Sequence, residues 1–124
     1  IEPQQLAGEP FLVRESGSGT RTAMEQFFAE REVKTHIDMV LPSNETIKQA
    51  VMAGLGLAFI SRHTIGLELD GGYLRVLPVS GTPVMREWHL VRRTGKPLTP
   101  ALQVFEQLLL QSGSQLLGNA IGQR

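Results

Sequence analysis

Five small or hydroxyl-bearing residues in a row, Ser16-Gly17-Ser18-Gly19-Thr20, follow Leu12-Val13-Arg14-Glu15. A tight turn needs one or two such residues. Five of them, ahead of an amphipathic run, suit a cradle of backbone N–H groups and hydroxyls around something small, oxygen-rich or anionic. A second cluster of this character, Pro42-Ser43-Asn44, also stands between an apolar segment and an amphipathic one, and Ser61 closes a third apolar run. The first N–H groups of a helix lack partners and carry partial positive charge. Hydroxyl and amide side chains placed there bind a carboxylate, phosphate or sulfate without a metal. Arg14 and Arg21 could add positive charge, although Arg21 fits a solvated helix position equally well. The plainer reading keeps Ser18 and Ser43 as N-caps and the glycines as turn residues, and the residue types alone leave both open.

Sharper motifs fail. A dinucleotide fingerprint needs a third glycine where Thr22 stands. The loop has no lysine for a P-loop, and G-x-S-x-G is absent. His36, His63 and His89 have no metal-ligand spacing, so no metal is expected. No base–nucleophile arrangement emerges, so no catalytic residue, no cofactor and no enzyme activity are expected. Arg86, Arg92, Arg93 and Lys96 form a modest basic group that suits a solvated strand edge and turn, or a contact with a partner subunit.

The elements that must position these loops follow from periodicity. Residues 11–14 read as a short strand. Ser18 is the N-cap candidate for a helix over about 19–31, whose apolar Met24, Phe27 and Phe28 fall at i, i+3, i+4. Residues 36–41 read as a second strand. Ile47, Ala50, Val51 and Gly54 mark a second helix, and Leu57–Ile60 suits a fully buried third strand. This β-α-β-α-β order calls for a parallel sheet with right-handed crossovers. In such a sheet, ligands bind beyond the carboxyl ends of the strands, where residues 15–20, 42–44 and Ser61 all fall. A weak helix at 64–69, strands at 73–77 and 85–93, and a final helix from Thr99-Pro100 complete the pattern. The small, polar residues 112–124 read as a flexible tail after a domain spanning 1–111.

Composition sets outer limits. The chain has 124 residues, the size of one domain, and 41% are hydrophobic. Twelve basic and twelve acidic side chains give zero formal net charge, which argues against a nucleic-acid surface on this segment. The absence of cysteine removes disulfides and thiolate chemistry and is compatible with the cytosol. No apolar run has membrane-spanning length, and no signal peptide is visible. The chain also lacks an initiator Met, as expected of a piece of something longer.

Several stretches, in order, carry a resemblance: "EPFLVRESGSGTRTAMEQFF", "LPSNETIKQAVMAGLGLAFISRHTI", "LRVLPV", "REWHLVRR" and "LTPALQVFEQLL". From about Ile1 to Leu110 the chain resembles the C-terminal effector-binding domain of LysR-type transcriptional regulators, and "PVMREWHLVRR" looks most like the subgroup controlling Calvin-cycle (RuBisCO) operons. The resemblance implies an α/β fold, a parallel-sheet lobe of the type 2 periplasmic-binding-protein kind. Only part is present: the second lobe, the return strand and the terminal helix. It implies a small anionic metabolite in an inter-lobe cleft, and DNA binding only through an N-terminal domain that this chain lacks. Carried over residue by residue, the effector positions are Ser16, Gly17, Ser18, Gly19, Thr20, Ser43, Asn44 and Ser61. A solute-binding protein of a transport system and a small phosphate-handling enzyme are the alternatives. With the first lobe missing, the apolar faces of residues 88–91 and of Leu102, Phe105, Leu108 and Leu109 are expected to drive self-association.

Overall fold

The computed structural model describes residues 1–95 and 97–120. It divides into two compact units, Ile1–Val84 and the residues from Met85 onward.

The first unit is built around strand β1, Pro10–Arg14. Phe11, Leu12 and Val13 are all buried, a continuous apolar run rather than an alternating one, because helices cover both faces of the strand. Helix α1, Gly19–Ala29, buries Ala23, Met24, Phe27 and Phe28. Its apolar face joins Phe11, Val13, Leu6 and Val33 in one cluster. Phe28 meets Phe11 edge-on at 5.4 Å between ring centroids, and Phe27 at 5.1 Å. Strand β2, His36–Leu41, pairs parallel with β1, setting Arg14 opposite Leu41. Helix α2, Asn44–Met52, follows. Leu12 points away from Phe11 and Val13, toward the face on which α2 packs against β1 with its buried Ile47.

The expected third strand over 57–60 is reduced to one residue. Leu57 forms a parallel bridge with Phe11, through Leu12 N–H to Leu57 O and Leu57 N–H to Pro10 O, both 2.8 Å. Gly56 permits this approach, since a Cβ there would stand 2.4 Å from the Pro10 carbonyl oxygen. Beyond Leu57 the chain is held by packing instead of ladder bonds: Phe59 lies against the core, 5.9 Å from the Phe27 ring. The spatial order is therefore β2, β1, then Leu57. This is the β-α-β-α-β winding read from the sequence, with its last strand shortened.

Further on, the expected weak helix resolves into a 3-10 turn at Arg62–Thr64 and helix α3, Gly66–Asp70. The expected strands at 73–77 and 85–93 do not form. Alternation alone cannot make a strand: an unpaired segment leaves its N–H and C=O groups to water. Tyr73, Val76, Met85 and Val91 are accordingly exposed, and Trp88 is 72% exposed in the single chain.

In the second unit, helix α4 runs Pro100–Ala120. Thr99 opens it, its carbonyl accepting from Gln103 N–H at 3.0 Å. The helix continues through residues 112–120, where the small polar composition suggests a flexible tail. The apolar spacing explains the difference, since Leu109, Leu116 and Leu117 keep one stripe going past Ser112 and Gly113. The end of that expected tail, residues 121–124, lies outside the described residues, as does Lys96 of the basic group. No helix among the described residues is long and apolar enough to cross a membrane.

Candidate functional site

Because β1 and β2 are paired and parallel, the loops after Arg14 and Leu41 leave the same edge of the sheet. They are joined there by one side chain. The Arg14 guanidinium donates from Nη1 to Asn44 Oδ1 at 3.0 Å. It also forks onto the next residue, with Nε and Nη2 each 2.8 Å from a Glu15 carboxylate oxygen. Hydrogen bonds from Arg14 hold the Glu15 carboxyl below the usual carboxylate range, and Glu15 in turn raises Arg14. Arg21 reaches back from α1, donating to the Arg14 carbonyl at 3.1 Å and pairing with Glu25 at 2.8 Å.

The two helix N-termini on this edge differ. At α2, Ser43 is a working N-cap. Its Oγ accepts from Thr46 N–H at 3.1 Å and lies 2.9 Å from the Thr46 hydroxyl. Glu45 adds a negative charge in the first turn, which complements the helix dipole from within. At α1, Ser18 occupies the N-cap position but makes no side-chain capping bond, and no acidic residue stands in the first turn. The first intrahelical bond runs from Thr22 N–H to Ser18 O at 3.0 Å, which leaves the N–H groups of Gly19, Thr20 and Arg21 ahead of the ladder. Gly17 has φ +88° with open space where a Cβ would stand. Glycine is thus required by backbone conformation, and the turn is left uncrowded.

Ser61 stands apart. It caps the 3-10 turn through its carbonyl, which accepts from Thr64 N–H at 3.0 Å and the Thr64 hydroxyl at 2.8 Å. No hydrogen bond among the described residues links it to residues 15–20.

One residue escaped the sequence reading. Lys48 of α2 is only 7% exposed, and its ammonium finds a partner for each of its three protons. These are Glu45 at 2.7 Å, Glu68 at 2.8 Å and the Thr64 carbonyl at 3.0 Å. The hydrogen bonds it donates to Glu45 and then to Glu68 raise its pKa, and Lys48 lowers that of Glu68. The segment after Ser61 is thereby tied to α2. An open groove of about 410 Å³, lined by Met52, Leu67, Glu68 and Tyr73, lies toward the other end of α2 from Ser43 and contains none of the loop residues. Among the described residues no cluster of three or more potential metal ligands occurs.

Parallel strands wound with helices, and polar loops gathered at their carboxyl edge, define an α/β ligand-binding lobe. The LysR substrate binding domain model matches residues 1–114, and the chain belongs to that family. Its relatives include the HTH-type transcriptional regulator CbbR of Xanthobacter flavus, 52% identical over 94% of this chain and 35% of the relative. The RuBisCO operon transcriptional regulator of Allochromatium vinosum is 47% identical over 94% of this chain and 38% of its own length. The chain thus spans little more than a third of these relatives. Among solved structures, the Synechocystis PCC6803 CcmR regulatory domain in complex with 2-PG superposes with a TM-score of 0.83 at 35% identity, covering 90% of this chain and 53% of that one.

Proposed function

We propose that this chain is the ligand-sensing part of a LysR-type transcriptional regulator of the RuBisCO-operon subgroup, and that its ligand is a small anionic metabolite received at the carboxyl edge of β1 and β2. The observation that carries this reading is the contrast between the two helix N-termini. The α2 end is satisfied internally, whereas the α1 end has an unengaged Ser18 hydroxyl, leading N–H groups and no acidic residue of its own. Ser16, Gly17, Ser18, Gly19 and Thr20 form the cradle. Ser43 and Asn44 form its second wall, Asn44 acting through Arg14, while Ser61, engaged in its own turn with Thr64, is the outlying member of the set. The chain performs no reaction of its own. It works in the cytoplasm beside DNA, which is contacted by a separate domain of the whole regulator.

Self-association belongs to the same reading. Trp88, Leu90, Val91, Leu102, Phe105 and Leu108 are all exposed. Burying one large apolar side chain is worth roughly 1.5–3 kcal/mol, so a neighbouring lobe or a second copy covers this surface.

The compound bound by the Synechocystis relative, 2-PG, is the first probe for the cradle. Replacing Ser18 and Thr20 together by alanine removes two hydroxyls from the loop. At about 1.5–3 kcal/mol for hydrogen bonds to a charged group, calorimetry should read an affinity loss of at least tenfold with the fold intact. Unchanged affinity would move the site elsewhere.

A further inference from the structure

The Arg14–Glu15 pair lies at the edge where the ligand is proposed to bind. The guanidinium fork is the natural partner of a carboxylate or phosphoryl group, which it grips through two parallel N–H bonds. Here that grip is already taken, both contacts being 2.8 Å, and the occupant is the neighbouring residue in the chain. The two side chains are held very differently. Arg14 is 23% exposed and is fastened at two further points: its Nη1 rests on Asn44 Oδ1, and its carbonyl receives Arg21. Glu15 is 48% exposed, and beyond Arg14 its carboxylate has only its own backbone N–H as a partner, with no hydrogen bond or ion pair to another side chain among the described residues. One partner is anchored and the other can swing into water.

We propose that Glu15 is an internal stand-in for the ligand, filling the Arg14 fork here and yielding it to an incoming carboxylate or phosphoryl group. This rests on the reading that the 16–20 loop receives an anion, and it makes Arg14 the residue that selects for one. The exchange is close to balanced. One exposed carboxylate leaves the guanidinium for water while another takes its place, so little is lost when Glu15 departs. The Asn44 contact survives the exchange, because it uses a nitrogen that Glu15 does not. Ligand entry would thus change the course of the chain at Glu15, directly ahead of Gly17, without disturbing β1.

The test compares the unaltered protein with Glu15→Gln, which keeps the shape and removes the competing charge. Glu30→Gln serves as a control: it makes the same change in net charge at the far end of α1, beside Arg31. Calorimetry with 2-PG and with inorganic phosphate reads affinity, and amide NMR reads location. The expected result is binding tightened about two- to fivefold by Glu15→Gln, no comparable gain from Glu30→Gln, and loss of binding in Arg14→Gln. If the amides of Ser18–Thr20 still shift but Glu15→Gln binds no tighter than the unaltered protein, the exchange is wrong and the loop reading stands. Equal gains from Glu15→Gln and Glu30→Gln would reduce the effect to net charge and overturn it as well. If both probes shift residues elsewhere, or neither binds any variant, the loop reading fails and the exchange with it.

Discussion

The α1 and α2 N-termini begin from the same ingredients: a strand end, a serine at the N-cap, and a helix whose buried face packs on β1. They arrive at opposite states. Ser43-Asn44-Glu45-Thr46 closes on itself, with the serine on the Thr46 N–H and a carboxylate in the first turn. Ser18-Gly19-Thr20-Arg21 does not close. Its serine makes no capping bond, and the charged residue in its first turn is an arginine engaged with the strand end behind it. A cap that satisfies its own helix stabilises the fold and has little left for a ligand. A cap that does not leaves donors available at the cost of local stability. The difference therefore assigns structure to one end and recognition to the other.

The largest expected effect would remove both ends at once. Leu12 is fully buried in the strand from which the Arg14 loop emerges, and Leu12→Ala should cost about 2–5 kcal/mol in denaturant unfolding. A smaller loss would mean that the two helices do not share this support. The comparison itself is sharpened by matched serine variants. Ser43→Ala should lower stability by about 1 kcal/mol, the usual worth of a capping bond, whereas Ser18→Ala should cost only a few tenths of that and act on ligand affinity instead. Equal losses from the two variants would erase the distinction.

A smaller effect depends on pH. Lys48 holds the Glu68 carboxylate below its ordinary range, so the charged form is favoured in the folded protein. That contribution is fully present above the unfolded carboxylate value and is lost as pH falls through the lower, folded-state value. Melting temperature should therefore drop on acidification in the unaltered protein, and less steeply in Glu68→Gln. Identical acid limbs would show that the pair does not hold α3 to α2.

Much of this frame was legible in the sequence, because its signals are local. Met24, Phe27 and Phe28 carry a helical spacing that needs no partner to be recognised, and the bounds of β2 follow from Pro42 and the apolar run before it. What was not legible depends on distant residues. Residues 73–77 and 85–93 have strand-like composition, but a strand exists only with a neighbour to bond, and none pairs with them here. Lys48 carries no signal of its own in the sequence, because its acceptors Thr64 and Glu68 lie well along the chain. The contrast between the serines was not visible, because Ser18 and Ser43 both stand at N-cap positions after a strand and read alike. Nor was the bond from Arg14 to Asn44, since it crosses between strands.

The central claim is that the open N-terminus of α1 receives the anion. It is tested most directly by titrating 2-PG into ¹⁵N-labelled protein and following every backbone amide. The largest shifts are expected at Ser18, Gly19 and Thr20, with smaller ones at Asn44 and Glu45. Largest shifts at the first turn of α2, or along the groove lined by Met52, Leu67 and Tyr73, would contradict it.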